Sequence, residues 1–175
     1  SYRVKSPDRV LEEIEYVVKR FNVHHIDFTM EDEFFINKKR VRAILEGIVE
    51  RKLNIRWEAF IRFDTLSRLD DDFMELMVKS GITELSFGAE SGSQRILDDI
   101  VLKDVKVEQI VEGIERLKRF KIGHLVSFIC GFPTETKSDL KKTFKLIERL
   151  SKDNPYFYNH LYQYSLLQNH HHDSY

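Results

Sequence analysis

Apolar residues recur along the chain with two different periods, and the two periods alternate. Stretches with an apolar residue at every third or fourth position predict amphipathic helices at 7–21, 38–49, 69–80, 107–120 and 137–150. Between them lie short β-prone stretches in which large apolar residues alternate with smaller or polar ones, at 25–30, 55–61, 83–87, 124–130 and 156–164. Regular strand–helix alternation predicts an α/β fold built on a parallel sheet.

Capping residues mark several of the helix boundaries. Ser6 followed by Pro7 is typical of a helix start, Asn37 is a candidate N-cap of the second helix, and Gly81 is expected to end the helix before it. For the last helix, the spacing predicts a buried apolar stripe made of Leu140, Phe144, Ile147 and Leu150.

The strand count bounds the architecture. Strands begin about 30 to 40 residues apart, which is one β-α unit each. A complete (β/α)₈ barrel needs roughly 250 residues, so five strands would not close one. The chain begins on a helix, although each helix in this pattern should follow a strand. We therefore expect a further strand upstream of Ser1, since without it the stretch 25–30 would be an exposed parallel edge.

Composition favours one domain with a packed core and gives no sign of a nucleic-acid or membrane partner. The chain has 175 residues, 42% of them hydrophobic and 33% charged, with a net charge of −1. This balance gives no reason to expect nucleic acid or an anionic membrane as a partner, and no apolar run approaches the ~18 residues of a membrane span. We assign the domain to residues 1–165 and expect 166–175, which has no clear period, to be a divergent or frayed tail.

The single cysteine, Cys130, limits both location and metal chemistry. An intramolecular disulfide is excluded, which fits a reducing compartment and a cytoplasmic location. The chain also lacks the three or four cysteines that would hold a zinc ion or an iron–sulfur cluster. We therefore predict no metal ligand within it.

Two strands end in a glycine-marked polar turn that leads into a helix. The first is Leu85–Ser93, LSFGAESGS, and the second is Val126–Thr136, VSFICGFPTET. Ligands of α/β proteins bind at the carboxyl ends of parallel strands, so two such turns predict one site assembled from several strand ends.

Taken in order, these motifs resemble the radical S-adenosylmethionine (SAM) superfamily, in particular the group in which a cobalamin-binding domain precedes the barrel. The likeness covers about residues 2–165 and rests on YRVKSPDRVLEEIEYVV, IDFTMEDEFF, RWEAFIRFDTL, LSFGAESGSQRIL, FICGFPTET and YQYSLL. It implies a partial parallel (β/α)₆ TIM-like barrel, N-terminally truncated here to about five strands, the second to the sixth.

The resemblance also implies an enzyme and its cofactors. Members bind SAM at a [4Fe–4S] cluster held by cysteines spaced C-x₃-C-x₂-C, and reductive cleavage of SAM yields a 5′-deoxyadenosyl radical. Cobalamin, a small-molecule substrate and an electron donor such as flavodoxin or ferredoxin are further implied partners. Because the cysteine motif would precede Ser1, we expect this chain to be inactive by itself.

Two of the implied cofactor sites follow the second and third strands of the family. Glu31, Asp32 and Glu33 match the motif that meets the amino group of SAM, through backbone carbonyls rather than side chains; the alternative is an acidic loop exposed to water. Arg62 would reach the SAM carboxylate or the substrate, or else lie as an ordinary arginine at the edge of the core.

The other two implied sites follow the fourth and fifth strands. Glu90 and Ser91 match the position that faces the SAM ribose, where a carboxylate can accept two sugar hydroxyls; the alternative is that Glu90 caps the next helix. Ile129 and Gly131 belong to the motif that packs along adenine, and Glu135 is expected to cap the last helix.

Two other functions stay open. One is a cluster-less α/β ligand-binding domain without catalysis. The other is a barrel enzyme that uses Glu31, Glu33 and Glu90 for acid–base chemistry. Four histidines argue against the second alternative, because we expect them at strand starts, away from the site: His24, His25, His124 and His160.

Overall fold

A computed structural model describes residues 4–28 and 34–165 as one α/β unit. The elements in chain order are α1 (Pro7–Phe21), β1 (His25–Asp27), a 3₁₀ turn (Phe34–Ile36), α2 (Lys38–Glu50), β2 (Arg56–Phe60), α3 (Phe63–Leu66), α4 (Asp71–Lys79), β3 (Ile82–Glu90), α5 (Gln94–Ile96) with a π-helical turn (Leu97–Val101), α6 (Val107–Arg119), β4 (Gly123–Cys130), α7 (Lys137–Ser151) and β5 (Phe157–Gln163).

The sheet confirms the predicted α/β class. Within the described residues, its strands lie in the order β1-β2-β3-β4-β5, and every neighbouring pair is parallel. Each strand therefore pairs with the next strand along the chain, as successive β-α units require. In the part of the chain that the structure describes, the sheet does not close into a barrel, and β1 and β5 form its two edges.

Side chains at the helix N-termini accept hydrogen bonds from backbone amides that have no partner within the helix. Ser6 Oγ accepts a hydrogen bond from Arg9 N at 3.3 Å, and Asn37 Oδ1 accepts one from Arg40 N at 3.0 Å. Both caps were predicted. The short helix α3 was not, because four residues carry too little periodicity to be recognised.

The core lies between the sheet and the helices. Alternate strand residues point into it and are fully buried: Trp57 and Ala59 on β2, Leu85, Phe87 and Ala89 on β3, and Val126 and Phe128 on β4. The indole Nε1 of Trp57 donates to Ser80 Oγ at 3.1 Å, so this ring is satisfied as well as buried. The residues between them point to the opposite, less covered side of the sheet.

The predicted apolar stripe of α7 is wrong at its centre. The buried positions are Asp139, Thr143, Leu146 and Leu150, whereas the side chain of Phe144 is half exposed. The helix is rotated from the predicted orientation because Asp139 and Thr143 make hydrogen bonds to the turn after β3. Their hydrogen bonds compensate for the cost of burying polar groups.

One histidine also departs from its predicted place. His24 and His25 do lie at the start of β1 and His124 at the start of β4, but His160 lies in the middle of β5, opposite Ser127.

Candidate functional site

The carboxyl ends of the strands lie along one edge of the sheet, because all strands are parallel. This edge brings together the ends of β2, β3 and β4, which carry the predicted residues Arg62, Glu90 and Gly131. The predicted SAM-binding residues Glu31, Asp32 and Glu33, and the tail 166–175, lie outside the described residues.

Glu90 ends β3 in a left-handed conformation, with φ = +62°. The register between β3 and β4 shifts between Gly88 and Glu90, so the strand bulges where it reaches the site. The carboxylate folds back over Gly88, and a Cβ on that glycine would collide with Glu90 Oε1. The backbone conformation of Glu90 thus sets the direction of its side chain. Glu90 does not cap a helix, because α5 begins only at Gln94.

Lys103 is the partner of Glu90. Its Nζ donates to Glu90 Oε1 at 2.9 Å and to the carbonyl oxygen of Gly88 at 2.5 Å. The two charged side chains are about one-fifth exposed, at 19% for Lys103 and 20% for Glu90. The pair therefore lies at the boundary between core and solvent, where a ligand can reach the carboxylate.

Ser91 is fully buried and faces α7. Its Oγ lies 3.1 Å from Thr143 Oγ1 and accepts a hydrogen bond from Ser93 N at 3.1 Å. Its side chain is therefore engaged inside the protein, and the ribose contact expected of Ser91 stays a prediction.

Gly131 lies in open space at the end of β4. Its φ is +84°, and the nearest atoms to a Cβ placed on it would be Gln163 Cγ and Tyr164 N, both at 4.0 Å. The backbone conformation, rather than crowding within the protein, accounts for a glycine here. Ile129 lies on the less buried side of β4, in register with Tyr162 on β5.

Glu135 does not cap α7, contrary to the prediction. Its Oε2 accepts a hydrogen bond from Gly131 N at 2.5 Å and so braces the turn after β4. The cap of α7 is Thr136, whose Oγ1 accepts from Asp139 N at 3.2 Å. Asp139 in turn accepts from Thr136 N at 3.1 Å, which completes a capping box.

Arg62 follows β2 and is 61% exposed. Its Nε donates to Asp64 Oδ1 at 2.8 Å. Partial burial disfavours the charged carboxylate, but the hydrogen bond from Arg62 and the charges of Arg62 and Arg68 outweigh it, so the pKa of Asp64 lies below its usual range. A cleft of about 410 Å³ adjoins these residues, lined by Phe35, Ile36, Phe60, Ile61, Arg62, Asp64, Thr65 and Arg68.

A buried carboxylate beside the site was not among the predicted residues. Asp139 is 2% exposed and accepts hydrogen bonds of 2.6 Å from Ser93 Oγ, from Arg95 and from Thr136 Oγ1. The hydrogen bond from Arg95, with those from Ser93 and Thr136, holds the pKa of Asp139 far below its usual range. The spacing of Thr136 and Asp139 is a capping-box signal that could have identified the residue.

Two general features frame the site. Among residues 4–28 and 34–165, no group of three or more His, Cys, Asp or Glu side chains is placed to hold a metal ion. No helix in the part of the chain that the structure describes has the length and apolar character needed to cross a membrane.

Comparison with sequence families gives a match to the radical SAM superfamily over residues 1–147. An uncharacterized methyltransferase of Pyrococcus horikoshii is 31% identical over 175 residues, which cover 96% of this chain and 37% of that protein. The anaerobic magnesium-protoporphyrin IX monomethyl ester cyclase of Rubrivivax gelatinosus is 30% identical over 154 residues, 87% of this chain and 27% of the cyclase. The chain thus spans about a quarter to two-fifths of the length of these relatives.

Solved structures share the fold. The cobalamin-dependent S-adenosylmethionine radical enzyme OxsB superposes with a TM-score of 0.72 at 22% identity, over 84% of this chain and 23% of OxsB. The radical S-adenosylmethionine methyltransferase TsrM of Kitasatospora setae, determined with cobalamin and a [4Fe–4S] cluster bound, gives a TM-score of 0.70 at 16% identity. It is matched over 90% of this chain and 31% of its own length.

Proposed function

This chain belongs to the radical SAM superfamily, and on that premise we propose that it forms the nucleoside-binding part of a SAM-dependent enzyme. One observation carries the proposal. Glu90, the last residue of β3, and Gly131, the first residue after β4, lie at the carboxyl ends of adjacent strands, since Glu90 is in register with Phe128 of β4. A partly exposed carboxylate therefore lies beside a backbone segment that is open to a ligand.

The chemistry of these groups fits an adenosine. The Glu90 carboxylate can accept hydrogen bonds from two sugar hydroxyls, while the hydrogen bond from Lys103 orients it. Gly131 permits a planar base to approach the backbone, and Ile129 offers an apolar surface on the same strand. The residues at these two strand ends thus fit the adenosyl part of SAM.

Unlike SAM, the iron–sulfur cluster has too few potential ligands in this chain. The chain holds one cysteine, and a cluster that leaves one iron open for SAM needs three thiolates. The residues present do not fit the cluster. We infer that its ligands lie elsewhere in the full-length protein, that residues 1–165 form one domain of it, and that this segment alone is inactive.

The reaction of the whole protein is inferred from its relatives. In members of the superfamily, SAM would either be cleaved reductively to a 5′-deoxyadenosyl radical or, together with cobalamin, serve in methyl transfer. Two lines support the cobalamin-linked branch: the structural neighbours OxsB and TsrM are described as cobalamin-dependent or cobalamin-bound, and a sequence relative is named as a methyltransferase. A small-molecule substrate, a flavodoxin or ferredoxin as electron donor and a cytoplasmic location complete the proposal.

The alternative is a ligand-binding domain that performs no catalysis. It is favoured by the single cysteine. In that case the site at the ends of β3 and β4 would bind a nucleoside but would have no source of electrons to cleave it. The two proposals differ in whether bound SAM is consumed.

The test uses the natural-length protein, reconstituted anaerobically with iron and sulfide and supplied with SAM and dithionite. We expect formation of 5′-deoxyadenosine, and we expect Glu90→Gln to raise the Kd for SAM. The matched control is Glu75→Gln, which alters an exposed glutamate paired with Lys79 at 3.2 Å on α4. SAM binding without turnover would favour the non-catalytic alternative. If Glu90→Gln binds SAM with wild-type affinity, Glu90 does not belong to the SAM site.

A further inference from the structure

The turns that follow β3 and β4 are both connected to one buried carboxylate, Asp139. We propose that Asp139 is a positioning residue that locks the turn after β3 and the turn after β4 into one arrangement, and that this arrangement sets the affinity for SAM. The second part rests on the proposed function. Asp139 itself lies on the first turn of α7 and faces the turns.

Asp139 reaches the turn after β3, and the short helix α5 that follows this turn, through two donors. Ser93 Oγ donates to Asp139 Oδ1 at 2.6 Å, and Arg95 donates to Asp139 Oδ2 at 2.6 Å. The carboxylate is 3% exposed, so these bonds form out of water, where hydrogen bonds to an ionised group are strongest.

The same carboxylate reaches the turn after β4. Thr136 donates to Asp139 Oδ2 through both its hydroxyl, at 2.6 Å, and its backbone amide, at 3.1 Å. Arg95 adds a second connection, because it also donates to the carbonyl oxygen of Thr134 at 3.0 Å. Thr134 and Thr136 belong to the segment in which Glu135 braces Gly131.

Close packing reinforces the connection. A Cβ on Gly92 would lie 2.7 Å from both the carbonyl oxygen of Lys142 and the Cα of Thr143, so the turn after β3 rests directly against the backbone of α7. Thr143 Oγ1 also accepts a hydrogen bond from Gly92 N at 3.0 Å. One helix therefore supports both turns, and its Asp139 joins them by hydrogen bonds.

This arrangement bears on ligand affinity through preorganisation. A ligand that contacts Glu90 and Gly131 at the same time binds tightly only if the two turns are already correctly placed. Asp139 contacts neither residue directly, so its removal is expected to loosen their relative placement while leaving both side chains intact.

The experiment compares variants of the natural-length protein by SAM titration and by amide hydrogen exchange without SAM. Asp139→Asn keeps the shape of the side chain but removes its charge and replaces one of its two acceptor oxygens with an amide donor. We expect its Kd for SAM to rise about tenfold, equivalent to about 1.4 kcal/mol. The milder Ser93→Ala removes one of the bonds and should raise the Kd by about threefold, or about 0.65 kcal/mol. Amides of 92–95 and 131–136 should exchange faster together in both variants.

The control is Ser80→Ala, which removes the buried hydrogen bond from Trp57 next to the start of β3, at the far end of the sheet. It should lower the melting temperature and leave the Kd for SAM unchanged. The proposal is overturned if folded Asp139→Asn and Ser93→Ala proteins bind SAM with wild-type affinity, or if only one of the two turns exchanges faster. A wild-type protein that binds no SAM would instead refute the proposed function, and the exchange data would still decide whether Asp139 couples the turns.

Discussion

Gly92→Ala tests how rigidly α7 holds the turn after β3. The added Cβ would meet two backbone atoms of α7, Lys142 O and Thr143 Cα, each at 2.7 Å. Carbon atoms in good contact lie about 3.5–4.0 Å apart, so the helix and the turn must separate by close to 1 Å. Forcing an extra methyl group into a packed site costs typically 1–3 kcal/mol, and we place this change near 3 kcal/mol because the obstacle is backbone. That loss lowers the melting temperature of a domain of this size by roughly 6–12 °C.

Urea unfolding monitored by circular dichroism measures the change. The control is Gly131→Ala, where the Cβ meets nothing nearer than 4.0 Å and only the positive φ is costly, at about 1–2 kcal/mol. We expect the midpoint to fall clearly further for Gly92→Ala, with unchanged m-values in both variants. If Gly92→Ala unfolds within about 0.5 kcal/mol of the wild type, α7 does not press on this turn and the reasoning fails.

Three further changes test other contacts. Asn37→Ala removes the N-cap of α2 and should cost about 1 kcal/mol in urea unfolding; an unchanged midpoint would contradict the cap. Burial, and then the charge of Glu58, raise the pKa of Glu84, so the folded state holds this proton more tightly and stability falls as pH rises through that pKa. Glu84→Gln should therefore raise the melting temperature at pH 7 but not near pH 3; a lower value at pH 7 would refute this. Because Arg95 lowers the pKa of Asp139, the stability from this carboxylate is complete above its unfolded pKa of about 3.9 and is lost as pH falls below it. The difference in unfolding free energy between wild type and Asp139→Asn should shrink as the pH drops from about 5 to 2, and a constant difference would exclude an ionised Asp139.

The structure gives the positions and partners of the predicted site residues, while their cofactor contacts stay predictions. Motif position correctly placed Glu90 and Gly131 at adjoining strand ends. The strand-end pattern could not indicate that Lys103 pairs with Glu90 or that Ser91 turns inward to Thr143, because those partners come from segments distant in sequence. The capping role predicted for Glu135 was wrong for a local reason: Thr136 is the better cap, and Glu135 is drawn to the amide of Gly131.

The sequence by itself determined the strands, the longer helices and the parallel class of the sheet. Periods of two and of about 3.6 residues report which side of a strand or helix is apolar, and a regular alternation of the two leaves few possible topologies. Only the tertiary structure decided how α7 is rotated and what its polar residues do. Ser93 and Asp139 are 46 residues apart in the chain, and neither signals a partner until the sheet brings the ends of β3 and β4 together. Once they meet, a satisfied buried carboxylate outweighs the apolar stripe centred on Phe144, because a buried charge must find its hydrogen bonds while an exposed phenylalanine costs comparatively little.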